Sequence, residues 1–77
     1  MPSRKSEPSP HRERLGQNVA RLRTRRNVTQ EALAEKVNVS PRYMQSVEAG
    51  EYFLSLLTLV QLRAVPRCDW NELFRGV

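Results

Sequence analysis

The stretch Thr29-Gln30-Glu31-Ala32-Leu33-Ala34-Glu35-Lys36-Val37-Asn38-Val39-Ser40-Pro41-Arg42-Tyr43-Met44-Gln45-Ser46-Val47-Glu48-Ala49-Gly50 carries the punctuation of two short helices and a tight turn. Thr29 is a good N-cap, Glu31 lies in the first turn where the helix dipole favours an anion, and Val28 is placed to staple against Leu33. Leu33, Ala34 and Val37 then point inward. Asn38 ends the run, being one of the few residues besides glycine that tolerates a left-handed backbone. Two residues on, Ser40 caps again, Pro41 takes the first helical position where no amide donor is needed, and Val39 can staple against Met44. This helix is expected from Pro41 to about Ala49, with Gly50 as its stop. Met44 and Val47 make its apolar side; Arg42, Gln45, Ser46 and Ala49 make the other.

The flanks keep helical periodicity. Leu15, Val19 and Leu22 fall at i, i+4 and i+7, which predicts a first helix from about Arg12 to Arg25. A fourth helix from Ser55 would bury Leu56, Leu59 and Leu62. A short fifth begins at Asp69, where Asp69 and Glu72 have capping-box spacing and Trp70, Leu73 and Phe74 form an apolar face. Neither β-branched alternation nor a hairpin turn is present. The expectation is an all-α, five-helix domain, with Pro66 ending or kinking the fourth helix.

With 77 residues, thirteen Lys/Arg and eight Asp/Glu, the net charge is +5 and the chain has room for one small domain. The charge is uneven: Arg4 to Arg26 holds eight basic and two acidic residues, whereas Asn27 onward holds five basic and six acidic. Met1 is the one apolar side chain among the first fourteen residues, which also hold Pro2, Pro8 and Pro10, so little can be buried there to offset ordering entropy. Residues 1–11 therefore read as a flexible basic arm and 12–77 as the folded domain. The arm is either a solvated tail or a polyanion contact, since clustered cations release condensed counterions on meeting phosphates.

Several function classes are disfavoured. Cys68 is the single cysteine, so no disulfide can form within the chain, and a reducing, cytoplasmic setting is expected. Cys68 reads as a small buried hydrophobe in preference to a redox sensor. No apolar run reaches the roughly 18 residues of a membrane span, and the first residues lack the core of a secretion signal. The single histidine, His11, lies in the arm, Cys68 has no histidine partner, and neither metal-ligand spacing nor a glycine-rich phosphate loop occurs. No enzyme activity, metal, cofactor or small-molecule ligand is expected.

The third and second helices, with the turn Asn38-Val39-Ser40 between them, have the dimensions of a helix-turn-helix. Gln30 to Gly50 resembles the phage-repressor-like (Cro-type, XRE) family of DNA-binding regulators. The match rests on Thr29-Gln30 at the motif's start, the small Ala34 where helices cross, Val39-Ser40 at the turn, and Val47-Glu48-Ala49-Gly50 at the end. Beyond it, Ser55-Leu56-Leu57-Thr58-Leu59 and Glu72-Leu73-Phe74 resemble the family's last two helices, so the resemblance covers roughly residues 12 to 75. Asn38 stands where the family usually has glycine. Arg63 and Pro66 depart from its fourth helix, which puts the dimer-side half in question.

The resemblance implies a lambda-repressor-like fold with the third helix in the major groove of double-stranded DNA. Pro41, Arg42, Gln45 and Ser46 match base-reading positions: Arg42 can fork onto guanine O6 and N7, Gln45 can pair with adenine N6 and N7, and Pro41 can touch a thymine methyl at best. Gln30, Ser40, Tyr43, Arg12 and Arg14 are the expected phosphate contacts. Tyr43 is alternatively a packed aromatic. Arg23 and Glu48 match a structural ion pair. Trp70 and Phe74 either close the core or form a homodimer seam that would set two recognition helices about one DNA turn, roughly 34 Å, apart. The expected function is a homodimeric transcriptional regulator on a palindromic operator; the competing reading is an adaptor or antitoxin-like protein that uses the same fold to bind a protein partner.

Overall fold

A computed structural model describes residues 9–52, 54–64 and 69–77. Five helices follow one another: α1 (Pro10–Arg25), α2 (Gln30–Lys36), α3 (Pro41–Glu48), α4 (Leu56–Ala64) and α5 (Trp70–Leu73), with no strand among the described residues. The lambda-repressor-like all-α fold is thus the observed one. Among the described residues no helix is long and apolar enough to cross a membrane. Pro66, Cys68, the Leu56 side chain and residues 1–8 of the arm, all given roles above, lie outside what is described.

Local chemistry sets each start. Ser9 accepts a hydrogen bond from the Arg12 amide at 3.3 Å and Pro10 follows as the first helical residue, so α1 begins two residues before Arg12. Thr29, Ser40 and Asp69 cap α2, α3 and α5 through the amides of Ala32, Tyr43 and Glu72. Ser55 accepts from the Thr58 amide ahead of α4.

The first three helices also stop alike. After each, a left-handed residue (Asn27, φ 59°; Asn38, φ 59°; Gly50, φ 83°) reverses the chain. The next amide then bonds back to the last turn: Val28 to the Arg23 carbonyl (3.1 Å), Val39 to Ala34 (2.9 Å), Glu51 to Ser46 (3.0 Å). This is the Schellman arrangement, which satisfies carbonyls that a helix end leaves open.

Leu15, Val19 and Leu22 of α1 pack with Leu33, Ala34, Val37, Met44, Val47, Leu54, Leu62 and Leu73 in one core. Ala34 is fully buried at the α2–α3 crossing. Gly16 serves the same end between α1 and α3, because a Cβ there would sit 2.4 Å from the Val47 carbonyl oxygen. The buried Asn18 side chain donates to the carbonyls of Leu73 (2.8 Å) and Arg75 (2.9 Å), tying the end of α5 to α1. Of the expected apolar face of α5, only Leu73 is buried. With four residues, α5 turns one side chain into the core and leaves Trp70 and Phe74 exposed.

Candidate nucleic-acid interface

Amphipathicity fixes how α3 is presented. Met44 and Val47 are buried, so the helix cannot rotate without exposing them, and Arg42 and Gln45 stand exposed with Ser46 half-buried beside them. These three fall at i, i+3 and i+4 and share one outward face. Pro41 is exposed at the N-terminal end of the same helix. The four residues assigned to base reading are therefore brought together on one surface.

Behind that surface α3 is clamped to α1 and α2 through one carboxylate. Glu48 Oε2 accepts from Arg23 Nε at 2.7 Å, while Oε1 accepts from Arg23 Nη2 at 3.0 Å and from Gln30 Nε2 at 2.7 Å. Arg23 Nη1 donates also to the Val28 carbonyl at 2.8 Å. The hydrogen bonds from Arg23 to Glu48 raise its guanidinium pKa above the usual value, outweighing desolvation, so the cation stays charged in this partly buried place. A carboxylate can only accept, so Gln30 must turn its amide nitrogen inward. Its carbonyl oxygen and one remaining N–H are what it can offer another partner.

Ser40 spends a lone pair on capping and keeps its hydroxyl proton. Tyr43 is half-buried, its ring stacked on Tyr52 with centroids 6.2 Å apart and planes 29° apart. Tyr52, with Ser40, Arg42, Tyr43 and Ser46, lines a shallow cleft along the flank of α3. Sequence reading missed Tyr52, because it lies beyond the Gly50 stop and no spacing rule joins it to Tyr43.

The arm-side arginines are placed elsewhere. Arg12, expected to reach phosphate, is only 6% exposed. The early start at Pro10 makes Arg12 part of regular helix, on the inward face it shares with Leu15, Gly16 and Val19 at i+3, i+4 and i+7. Arg14 is exposed but lies against Gly76, and the neighbouring Glu13 rests on Gly50 past the C-terminal end of α3. Arg14, Arg21 and Arg25 recur at i, i+7 and i+11 on the side of α1 turned away from Gly16 and hence from α3. Arg25 meets Glu72 at 3.5 Å there. The basic surplus of α1 is thus not beside the outward face of α3.

Trp70 and Phe74 are 39% and 38% exposed and stack on each other at 5.7 Å, 13° from parallel. The Arg63 guanidinium lies 5.0 Å from the Trp70 ring centroid, a cation–π contact. Leu57 and Val60 of α4 are 67% and 45% exposed. Among the described residues no group of three His, Cys, Asp or Glu gathers. His11 Nδ1 lies 2.6 Å from the Val77 carbonyl oxygen.

A family model described as a helix-turn-helix domain matches residues 14–68. Among solved structures, the restriction-modification controller protein C.AhdI from Aeromonas hydrophila is 31% identical, with 80% of this chain and 94% of that one covered and a TM-score of 0.74. The clp gene regulator ClgR from Corynebacterium glutamicum is 27% identical over 91% of this chain and 90% of its own, with a TM-score of 0.80. A complex of SinR protein with SinI protein is 25% identical over 80% of this chain and 61% of that one, with a TM-score of 0.73. No curated protein sequence matches.

Proposed function

Since the chain belongs to the helix-turn-helix domain family, as a DNA-binding transcriptional regulator of the phage-repressor-like (Cro-type, XRE) kind, we propose that it reads a palindromic operator as a homodimer through α3. The observation that carries this reading is the outward strip of exposed Arg42 and Gln45 with half-buried Ser46 on a helix whose other side is locked by Met44 and Val47. Rigid mounting suits readout, because bidentate base contacts tolerate little misplacement.

In this proposal Arg42 recognises guanine, Gln45 adenine, and Ser46 either base edge, with Pro41 against a thymine methyl. Gln30, Ser40 and Tyr43 hold the backbone, Gln30 through its remaining N–H and Ser40 through its hydroxyl proton. The exposed Trp70–Phe74 stack is the proposed dimer seam. Large apolar rings left in water next to a small core gain from a second copy, and Arg63 lies over the Trp70 ring.

Selection of bound sequences from a random duplex pool tests the reading. A two-fold symmetric consensus, together with sedimentation as a dimer, is the expected result. A consensus without symmetry on a protein that stays monomeric with DNA would overturn the homodimer and keep the DNA reader. The SinR–SinI likeness favours a second reading, a protein partner on the same exposed apolar residues, with DNA secondary. Absent or salt-insensitive DNA binding would favour it.

A further inference from the structure

We propose that Tyr52 is a positioning residue for DNA recognition, acting through Tyr43; the inference rests on the DNA-reading role of α3. Tyr43 occupies the third position of α3, where its amide is already bound to the Ser40 cap. That fixes the backbone and leaves the side chain to be oriented. Its ring packs on the core at its base, and its flat side lies against Tyr52, stacked 6.2 Å away at 29°. Offset rings at this distance attract each other beyond the area they bury.

Tyr52 is itself held. It follows the left-handed Gly50, whose reversal is fixed by the Glu51 amide bonding back to the Ser46 carbonyl, and its ring packs on the core. The two rings meet in the cleft lined by Ser40, Arg42 and Ser46. A loop residue anchored on the core therefore sets the Tyr43 ring beside the side chains that meet DNA. Ordering this ring before binding lowers the entropy that binding must otherwise supply.

Substitution of Tyr52 by leucine keeps apolar volume on the core and removes the flat ring; substitution by phenylalanine keeps the ring. Operator affinity of Y52L is expected to fall about tenfold while Y52F binds as the unaltered protein does, with thermal midpoints recorded for each. In a Y43A background, Y52L is expected to cost nothing further. Unaltered affinity in Y52L, or an equal loss with and without the Tyr43 ring, would overturn the proposal. Aromatic proton shifts of Tyr43 in the DNA-free protein give an independent readout. Shifts unchanged by Y52L would overturn the inference whatever DNA does, whereas shifts that move in a protein that binds no DNA would defeat the recognition role of α3.

Discussion

Arg23 grips Glu48 with two prongs, Nε to Oε2 at 2.7 Å and Nη2 to Oε1 at 3.0 Å, and so joins α1 to the last turn of α3. The same carboxylate holds Gln30 at the start of α2, so three helices meet on one side chain. The pair is little exposed, 16% for Arg23 and 6% for Glu48. It lies behind the outward face of α3, where it can stiffen the motif without reaching that face.

Substituting Arg23 by methionine should therefore cost stability and spare sequence preference. Breaking one partner of a buried pair leaves the other charge uncompensated, and the expected loss is about 3 kcal/mol. The denaturant midpoint should fall, while the selected consensus, measured under conditions where the variant is folded, stays the same. A lost consensus in a stable R23M protein would make Arg23 a reader.

Gly16→Ala sets two effects against each other. Alanine gains about 1 kcal/mol of helix propensity over glycine in a helix interior. The added methyl would meet the backbone carbonyls of Val47 and Glu48 at 2.4 and 2.7 Å, and backbone cannot swing aside as a side-chain end can. Separating α1 from α3 would also stretch the Arg23–Glu48 bridge. The expected net result is a loss of about 1–2 kcal/mol in chemical denaturation.

The left-handed asparagines behave differently. At φ 59°, Asn38→Gly removes residual Cβ crowding and should leave stability unchanged or raise it by about 0.5 kcal/mol, whereas Asn38→Val should lose about 1–2 kcal/mol. Thermal denaturation of the two variants checks the sign of each.

What could be read from sequence divides by range. Asn38, Ser40, Pro41 and Gly50 act on their own backbone within a few residues, and the reading of α2, the turn and α3 matches the structure. Leu15, Val19, Leu22, Met44 and Val47 repeat with the helical period and are buried as expected. Ser9 and Pro10 carried the same kind of signal, a cap followed by proline, but they stood inside a polar, proline-rich segment read as arm. That two-residue difference put Arg12 on the inward face. The Arg23–Glu48 bridge followed from family resemblance. The Gln30–Glu48 bond, the Asn18 tie to α5 and the Tyr43–Tyr52 stack join residues brought together only by packing, and no local pattern encodes them.

Arg42 and Arg21 offer a test of which arginines read DNA. Both are exposed, but Arg42 lies on the outward face of α3 and Arg21 on the side of α1 turned away from it. Arg42→Ala should relax the consensus at one base pair per half-site, costing about 1–3 kcal/mol of discrimination there. Arg21→Ala should leave both consensus and salt dependence unchanged. A shallower salt slope in R21A would mean that DNA wraps onto α1.

Deleting the arm should separate affinity from specificity, provided that the deletion ends at residue 8. Removing Ser9 and Pro10 as well would take away the cap and first residue of α1, and lost stability would masquerade as lost binding. Residues 1–8 contain Arg4 and Lys5. If both neutralise phosphates, the deletion should lower the magnitude of the slope of log K against log salt by about 1.8 per protomer, from the value of about 0.9 per contact. Affinity in dilute salt should fall accordingly, and the consensus should remain, because base reading is assigned to Arg42, Gln45 and Ser46. A consensus that changed at its flanks would assign base contacts to the arm, with the minor groove beside the half-site as the place within reach.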